Sequence, residues 1–192
     1  ESQVRELFEL FHSHDLPATW ATGLKHARLV SSFARESEVS HEVAVLGDAT
    51  WLPGKNSRRT FYRALVERMR GFRDERAHVT TLALDKADLF DHLDLLVKHR
   101  ISMVRCNSIT GGAETQCLKP RSLRFGVWQA PPARRLTGRL NIGWWTTMNI
   151  RRLIHRCSRR GGIVHLLLQA DELLNRGILE TILRCVVNRR QN

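Results

Sequence analysis

The chain is 192 residues long, 42% hydrophobic and 26% charged. That composition suits one compact domain with a buried core and excludes a disordered segment, a collagen-like repeat and a disulfide-dense scaffold. Thirty-one Lys plus Arg against 19 Asp plus Glu leave a formal charge of +12, and 26 of the 31 are arginines.

No apolar run approaches the roughly 20 residues that cross a bilayer, so no transmembrane segment is expected. A surplus of positive charge this large collects phosphates and other polyanions. It is also what a GC-rich coding sequence produces when it writes Arg in place of Lys. The pairs Arg58-Arg59, Arg134-Arg135, Arg151-Arg152, Arg159-Arg160 and Arg189-Arg190 lie in separate segments, which favours the second reading. The four cysteines, Cys106, Cys117, Cys157 and Cys185, form no CxxC, so zinc-ribbon and thioredoxin patterns are absent. Cys106 and Cys185 sit in apolar runs and are expected as buried free thiols, which points to a reducing, cytoplasmic compartment.

Val4, Leu7, Phe8 and Phe11 recur at helical spacing and predict a first helix, followed by a short strand over 17–21. A helix over about 24–38 leads to a strand over 42–46 that Gly47-Asp48 closes. Pro53-Gly54 predicts a turn, and Ser57 caps a helix reaching about residue 76. A strand over 79–84 precedes a helix over about 86–99, with Leu89, Leu93, Leu96 and Val97 as its apolar stripe. Residues 101–106 read as strand, 107–120 as loop, and 123–128 as a strand stopped by Pro131-Pro132. A loop over 133–141 and a strongly basic helix over 148–160 follow. The most apolar strand, 163–168, is expected to be buried on both faces. The last helix, about 171–188, places Leu174, Ile178, Ile182, Leu183 and Val186 on one side. Strands alternating with helices predict right-handed βαβ units and a mostly parallel sheet, open or closed as a barrel, in a single domain over 1–192.

In α/β proteins chemistry collects at the strand ends, which here offer Trp20, Thr22, Asp48, Asp85, Arg105, Asn107, Gln129, His165 and Gln169. Asp48 is either a metal ligand or general base, or an Asx-turn residue leaving its strand. His165, set among aliphatic residues, is either a satisfied core histidine or a catalytic one. Arg105 either points into the mouth of the sheet or pairs with a neighbouring acid. Trp144-Trp145 reads as a carbohydrate platform or, given how buried tryptophan usually is, a core plug. His12 and His14, two residues apart, fall on different faces and read as exposed polar residues. GxGxxG, Walker, GxSxG and HExxH patterns are absent, and Gly111-Gly112 alone makes no phosphate cradle.

Several stretches match one family in the correct order. VRELFELFHSHDLPATWA over 4–21, His41-Glu42-Val43-Ala44, the segment 79–107, His165-Leu166-Leu167-Leu168-Gln169-Ala170 and the last helix together resemble the NodB-homology polysaccharide deacetylases, carbohydrate esterase family four. The resemblance implies a distorted (β/α) barrel of about seven strands, the first of which falls outside this chain. It also implies hydrolysis of N-acetyl groups on a sugar or polysaccharide, assisted by a divalent metal such as zinc held by one Asp and two His. A second Asp would act as base and a late His as acid. The sequence departs from that pattern. The family's Asp-Asp pair belongs to the strand not contained here, and the two metal-histidine positions read Leu46 and Thr50. Leu84-Asp85-Lys86-Ala87 replaces a polar strand end, and Gln169-Ala170 stands where His-Pro is expected. Leucine and threonine offer no nitrogen donor, so no metal ligands are assigned.

The resemblance therefore implies the fold with weak or absent catalysis. His165, Asp48 and Arg105 are the candidate catalytic residues, and Trp20 and Trp128 the candidate sugar contacts. Two alternatives stand beside it. One is metal-independent hydrolysis through Asp48 and His165. The other is a non-catalytic basic protein binding anionic glycan, membrane surface or nucleic acid through the helix over 148–160.

Overall fold

The computed structural model describes residues 2–52, 57–74, 77–84, 90–106, 119–136, 143–168 and 176–190. The chain divides into two compact units. One comprises Pro17–Ser108 and Pro120–Ala130, the other Glu1–Leu16, Ile109–Lys119 and Pro131–Asn192. The first helix, α1 (Ser2–Ser13), belongs to the second of these.

The larger unit runs β1 (Thr19–Thr22), α2 (Leu24–Glu36), β2 (Glu42–Leu46), α3 (Ser57–Asp74), β3 (Val79–Leu84), α4 (Leu93–Lys98), β4 (Met103–Cys106), β5 (Arg121–Ser122) and β6 (Trp128–Gln129). These strands form one six-stranded sheet in the order β1-β2-β3-β4-β6-β5, parallel throughout except for β5 against β6. Neighbours in space are thus neighbours in sequence from β1 to β4, and α2, α3 and α4 lie side by side, α3 packing on α2 and reaching Asp94 of α4.

Side-chain alternation sorts the two faces. Val43, Val45, Leu82, Leu84 and Val104 share one, and the helices cover it. Phe61, Leu65, Met69 and Phe72 recur along the buried side of α3. Phe61 stacks on His92 at 5.4 Å and meets Trp51 edge-on at 6.0 Å. Each such side chain contributes about 1.5–3 kcal/mol on burial, so this layer holds the unit together. The opposite face carries Thr19, Glu42, Ala44, Thr81, Ala83, Met103 and Arg105, which are small or polar for the most part.

In the second unit, β7 (Arg134–Leu136) pairs in parallel with β8 (Leu166–Leu168), and α5 (Gly143–Arg160) connects them. Helix α6 (Arg176–Arg190) packs against α5. Ile150, Leu153 and Cys157 form the buried side of α5, while Arg151, Arg152, Arg156, Arg159 and Arg160 face solvent. Gly161, with φ of 61°, ends α5 in the left-handed region, and the Gly162 N–H donates to the Cys157 carbonyl at 3.0 Å. That conformation costs glycine nothing.

Several expectations are corrected. The strand expected over 123–128 is a 3-10 turn, Arg124–Gly126, between β5 and β6. Phe125 and Gly126 have positive φ there, which no continuous strand accommodates. The expected loop over 133–141 contains β7, which only its partner β8 stabilises. Helix α5 begins five residues earlier than expected, at Gly143. The expected helix over 86–99 is described as a 3-10 turn, Phe90–His92, and then the short α4. Arg100 at φ 62° ends it, with the Ile101 N–H donating to the Leu96 carbonyl.

The strand expected over 163–168 is narrower and less buried than its composition suggests. Leu166–Leu168 are half-buried, and Ile163 is exposed. Cys185 is a free thiol but half-buried, and Cys157 is disulfide-bonded, so cysteine usage no longer points to a reducing compartment. Among the described residues no helix is long and apolar enough to cross a membrane. The turn at Pro53-Gly54, the loop at Gly111-Gly112, and Asp85, Asn107, Gln169 and Leu174 lie outside the described residues, as do the side chains of Trp144 and Trp145.

Two outcomes test this packing. A Cβ at the buried Gly47 would lie 2.5 Å from Leu84 Cδ2 and 3.0 Å from the Trp51 ring. Gly47→Ala should therefore cost about 1–3 kcal/mol in urea unfolding, with an unchanged m-value. His99, after α4, has both ring nitrogens shielded and without a hydrogen-bond partner among the described residues. Burial first, then the charges of Arg73 and Lys98, hold its pKa below the ordinary 6.5, while the Tyr62 ring packs against it at 6.0 Å. Its neutral form is the folded form, so stability is retained above the unfolded pKa and lost as pH falls through it. Unfolding free energy should decline as pH falls below about 6.5, and His99→Gln should flatten that decline.

Candidate functional site

Strand β2 reads Glu-Val-Ala-Val-Leu, one acid at the head of an apolar run. A carboxylate there is tolerated only if donors surround it. The sheet register supplies them. Thr19 sits opposite Glu42 in β1, and its hydroxyl donates to Glu42 Oε2 at 2.7 Å. Between β2 and β3 the pairing slips: Val43 faces Val79, but Ala44 faces Thr81, leaving Thr80 as the extra residue of a β-bulge. The bulge turns both hydroxyls toward one oxygen. Thr80 Oγ1 donates to Glu42 Oε1 at 3.2 Å, and Thr81 Oγ1 makes a short hydrogen bond to the same atom. From β4, Arg105 Nη2 lies 3.5 Å from Glu42 Oε2.

One carboxylate thus ties β2 to β1, β3 and β4, with its lone-pair sites engaged by the protein. Glu42 and Arg105 reach each other across a floor of small side chains. By register Ala44, Thr81 and Ala83 lie on the same face, and they are 0%, 1% and 3% exposed. The energies are unequal. The guanidinium contact is long, and its partners are 28% and 32% exposed, so solvent screens it to below about 1 kcal/mol. Hydroxyl-to-carboxylate hydrogen bonds are worth about 1.5–3 kcal/mol each when shielded. The threonines dominate, and Glu42 acts as a positioning group for Arg105.

Arg105 is the candidate residue that the structure places most usefully. It lies near the end of β4, aligned with Ala83, and its buried Nε has no hydrogen-bond partner among the described residues. Met103, two residues earlier, is aligned with Trp128 of β6, so Trp128 and Arg105 share one face of the sheet. Trp128 is 45% exposed, so this face carries an open indole as well as the half-buried guanidinium.

The other candidates fall elsewhere. Trp20 alternates onto the face opposite Arg105, where it meets His41 edge-on at 5.7 Å. The His41 Nδ1 accepts a hydrogen bond from the Ala18 N–H at 3.1 Å. Asp48 leaves β2 as a turn residue. Its Oδ1 accepts the Thr50 N–H at 2.8 Å and a short hydrogen bond from the Thr50 hydroxyl, and its carbonyl takes the Trp51 N–H. That is the Asx-turn alternative. His165 belongs to the second unit, where its Nδ1 lies 2.8 Å from the Pro131 carbonyl. A carbonyl only accepts, so Nδ1 carries the proton. Thr22 is buried and bonds the Gly23 carbonyl, and Gln129 is half-buried on β6.

The metal that the family resemblance implies does not fit these residues. Leu46 and Thr50 stand where imidazoles are needed, and Thr50 is committed to Asp48. Among the described residues no group of three or more His, Cys, Asp or Glu could hold a metal ion. Comparison of the chain with protein-family models, with curated proteins and with solved structures returns no match.

Sequence reasoning found Arg105 and offered an acid partner as one of its two options, but it did not single out Glu42 or the three threonines. A lone acid in an apolar strand, with Thr19 and Thr80-Thr81 near the starts of the strands on either side, was the available signal. Glu42→Ala would strip the Thr81 hydroxyl, 1% exposed, of its acceptor. It should cost about 1–3 kcal/mol of unfolding free energy. A Glu42/Arg105 double-mutant cycle should return a coupling below about 1 kcal/mol.

Proposed function

We propose that this chain is a polysaccharide deacetylase-like protein of carbohydrate metabolism, built on a distorted (β/α) barrel that includes the parallel sheet. It binds N-acetylated sugar without metal-assisted hydrolysis. The sequential order β1-β2-β3-β4 supports the barrel, because a sheet wound in one direction can close on itself.

The observation that carries the binding role is Arg105 held by Glu42 on the same sheet face as the open Trp128 ring. A guanidinium fork recognises carbonyl and hydroxyl oxygens, and an indole face takes the apolar side of a sugar ring. The reading of weak or absent hydrolysis rests on Leu46 and Thr50 standing at the two positions where the resemblance calls for metal histidines, with Thr50 bonded to Asp48.

Calorimetric titration with N-acetylglucosamine oligomers tests the reading. Arg105→Ala and Trp128→Ala should each weaken binding by about ten-fold, close to 1.4 kcal/mol, and a chelator should change nothing. Wild-type affinity in both variants, or zinc-dependent release of acetate, would overturn it.

A second reading draws on α5, whose five exposed arginines line the side opposite Ile150, Leu153 and Cys157. Such a helix suits a non-catalytic polyanion binder. That reading requires binding to anionic polymers to survive Arg105→Ala and to disappear when Arg152, Arg156 and Arg159 are replaced.

A further inference from the structure

Helix α3 has a second side that the core does not use. Its sequence holds six arginines, Arg58, Arg59, Arg63, Arg68, Arg70 and Arg73, against Glu67 and Asp74. Two are accounted for. Arg58 makes two hydrogen bonds to the Asp94 carboxylate, at 2.9 and 2.5 Å, and Arg68 lies over the Trp51 ring at 5.6 Å. Arg59, Arg63 and Arg70 have no ion-pair or hydrogen-bond partner among the described residues, although Glu67 is within helical reach of two of them. With Tyr62, Val66 and Glu67 they form one open face of the helix. Like charges four residues apart on a helix repel, so this arrangement carries a cost that an anionic ligand would remove.

Tyr62 narrows the choice of ligand. It is 37% exposed, but Lys98 Nζ sits over its ring at 5.3 Å and the His99 ring lies 6.0 Å away. With Lys98 over one face and the tilted His99 ring nearby, Tyr62 is a poor stacking platform, which is what single-stranded nucleic acid requires. Insertion into a membrane needs an apolar helix face, and the apolar residues of α3, namely Phe61, Leu65, Met69 and Phe72, are spent in the core. What remains is a row of planar guanidinium forks. Arg59 and Arg63 are about 6 Å apart along the helix axis, and Arg70 lies about 10 Å further on. Such a row pairs with carboxylates on a chain and needs neither stacking nor burial.

We propose that the Arg59–Arg63–Arg70 face of α3 is a docking surface for a linear polysaccharide bearing carboxylate groups. The choice of a glycan over other polyanions rests on the carbohydrate reading given above.

The test uses the whole chain with polygalacturonate fragments, titrated between about 50 and about 200 mM salt. Affinity should fall steeply with salt. Arg59→Gln, Arg63→Gln and Arg70→Gln should each weaken binding by about three-fold, and by about thirty-fold together, with a shallower salt dependence. All three side chains are exposed, so the circular dichroism spectrum and melting temperature of the triple variant should match the wild type. Wild-type polygalacturonate affinity in the triple variant would overturn the assignment. So would tighter binding of polyuridylate, or of phosphatidylglycerol vesicles, through the same three arginines. Neutral N-acetylglucosamine oligomers separate the two readings. If they bind normally while the triple variant also keeps its polygalacturonate affinity, the α3 assignment falls and the sheet-face reading stands. If they fail to bind while polygalacturonate still binds through α3, the sheet-face reading falls and the docking surface stands.

Discussion

The polar face of the sheet depends on one carboxylate. Glu42 accepts from Thr19 on one side and from Thr80 and Thr81 on the other, and it lies 3.5 Å from an Arg105 nitrogen. A carboxylate can be half-buried at the head of an apolar strand only because three hydroxyls replace its water. Those hydroxyls in turn constrain the sheet. Thr80 and Thr81 reach the same oxygen because of the bulge, and the bulge sets the register of β3 against β2. The small residues Ala44 and Ala83 leave room for the long side chains to lie across the sheet. Larger ones would lift Arg105 away from its partner.

This polar assembly and the apolar layer on the opposite face divide the work. Phe61, Leu65, Met69 and Phe72 of α3, with Leu82, Leu84 and Trp51, supply the hydrophobic free energy. In the Glu42 cluster the hydroxyl bonds supply the stability, since the ion pair is screened. The cluster's consequence is to hold Arg105 on the face that also presents Trp128. Asp48, a few residues further along the chain, turns the backbone after β2 and is consumed in doing so. A side chain whose oxygen already caps its own turn is poorly suited to bind a metal.

The charge of +12 is organised in the same economical way. Both α3 and α5 are amphipathic helices whose buried sides are aliphatic or aromatic and whose outer sides are arginine. Arg58 forms a doubly hydrogen-bonded pair with Asp94, which holds the Asp94 carboxyl below its ordinary pKa. Where no acid is engaged, the guanidinium groups face solvent as a row. Dispersal along the sequence therefore does not mean dispersal in space, because a helix gathers residues three, four and seven apart onto one surface.

The sequence by itself determined the alternation of helices and strands in the first half of the chain. The strands over 42–46 and 79–84 match residue for residue, since period-2 and period-3.6 patterns are local properties of side-chain direction. It also determined that Asp48 and Arg105 stand at strand ends, and that Leu46 and Thr50 cannot serve as imidazole ligands. Only tertiary structure decided the rest. The short strand β7 exists because β8 pairs with it, and the expected strand over 123–128 yields to a turn because Phe125 and Gly126 take positive φ. Which acid meets Arg105, and which tryptophan shares its face, follow from strand register. A one-residue slip reverses every side chain of a strand, and register is fixed by contacts between segments about 20 to 40 residues apart in the chain.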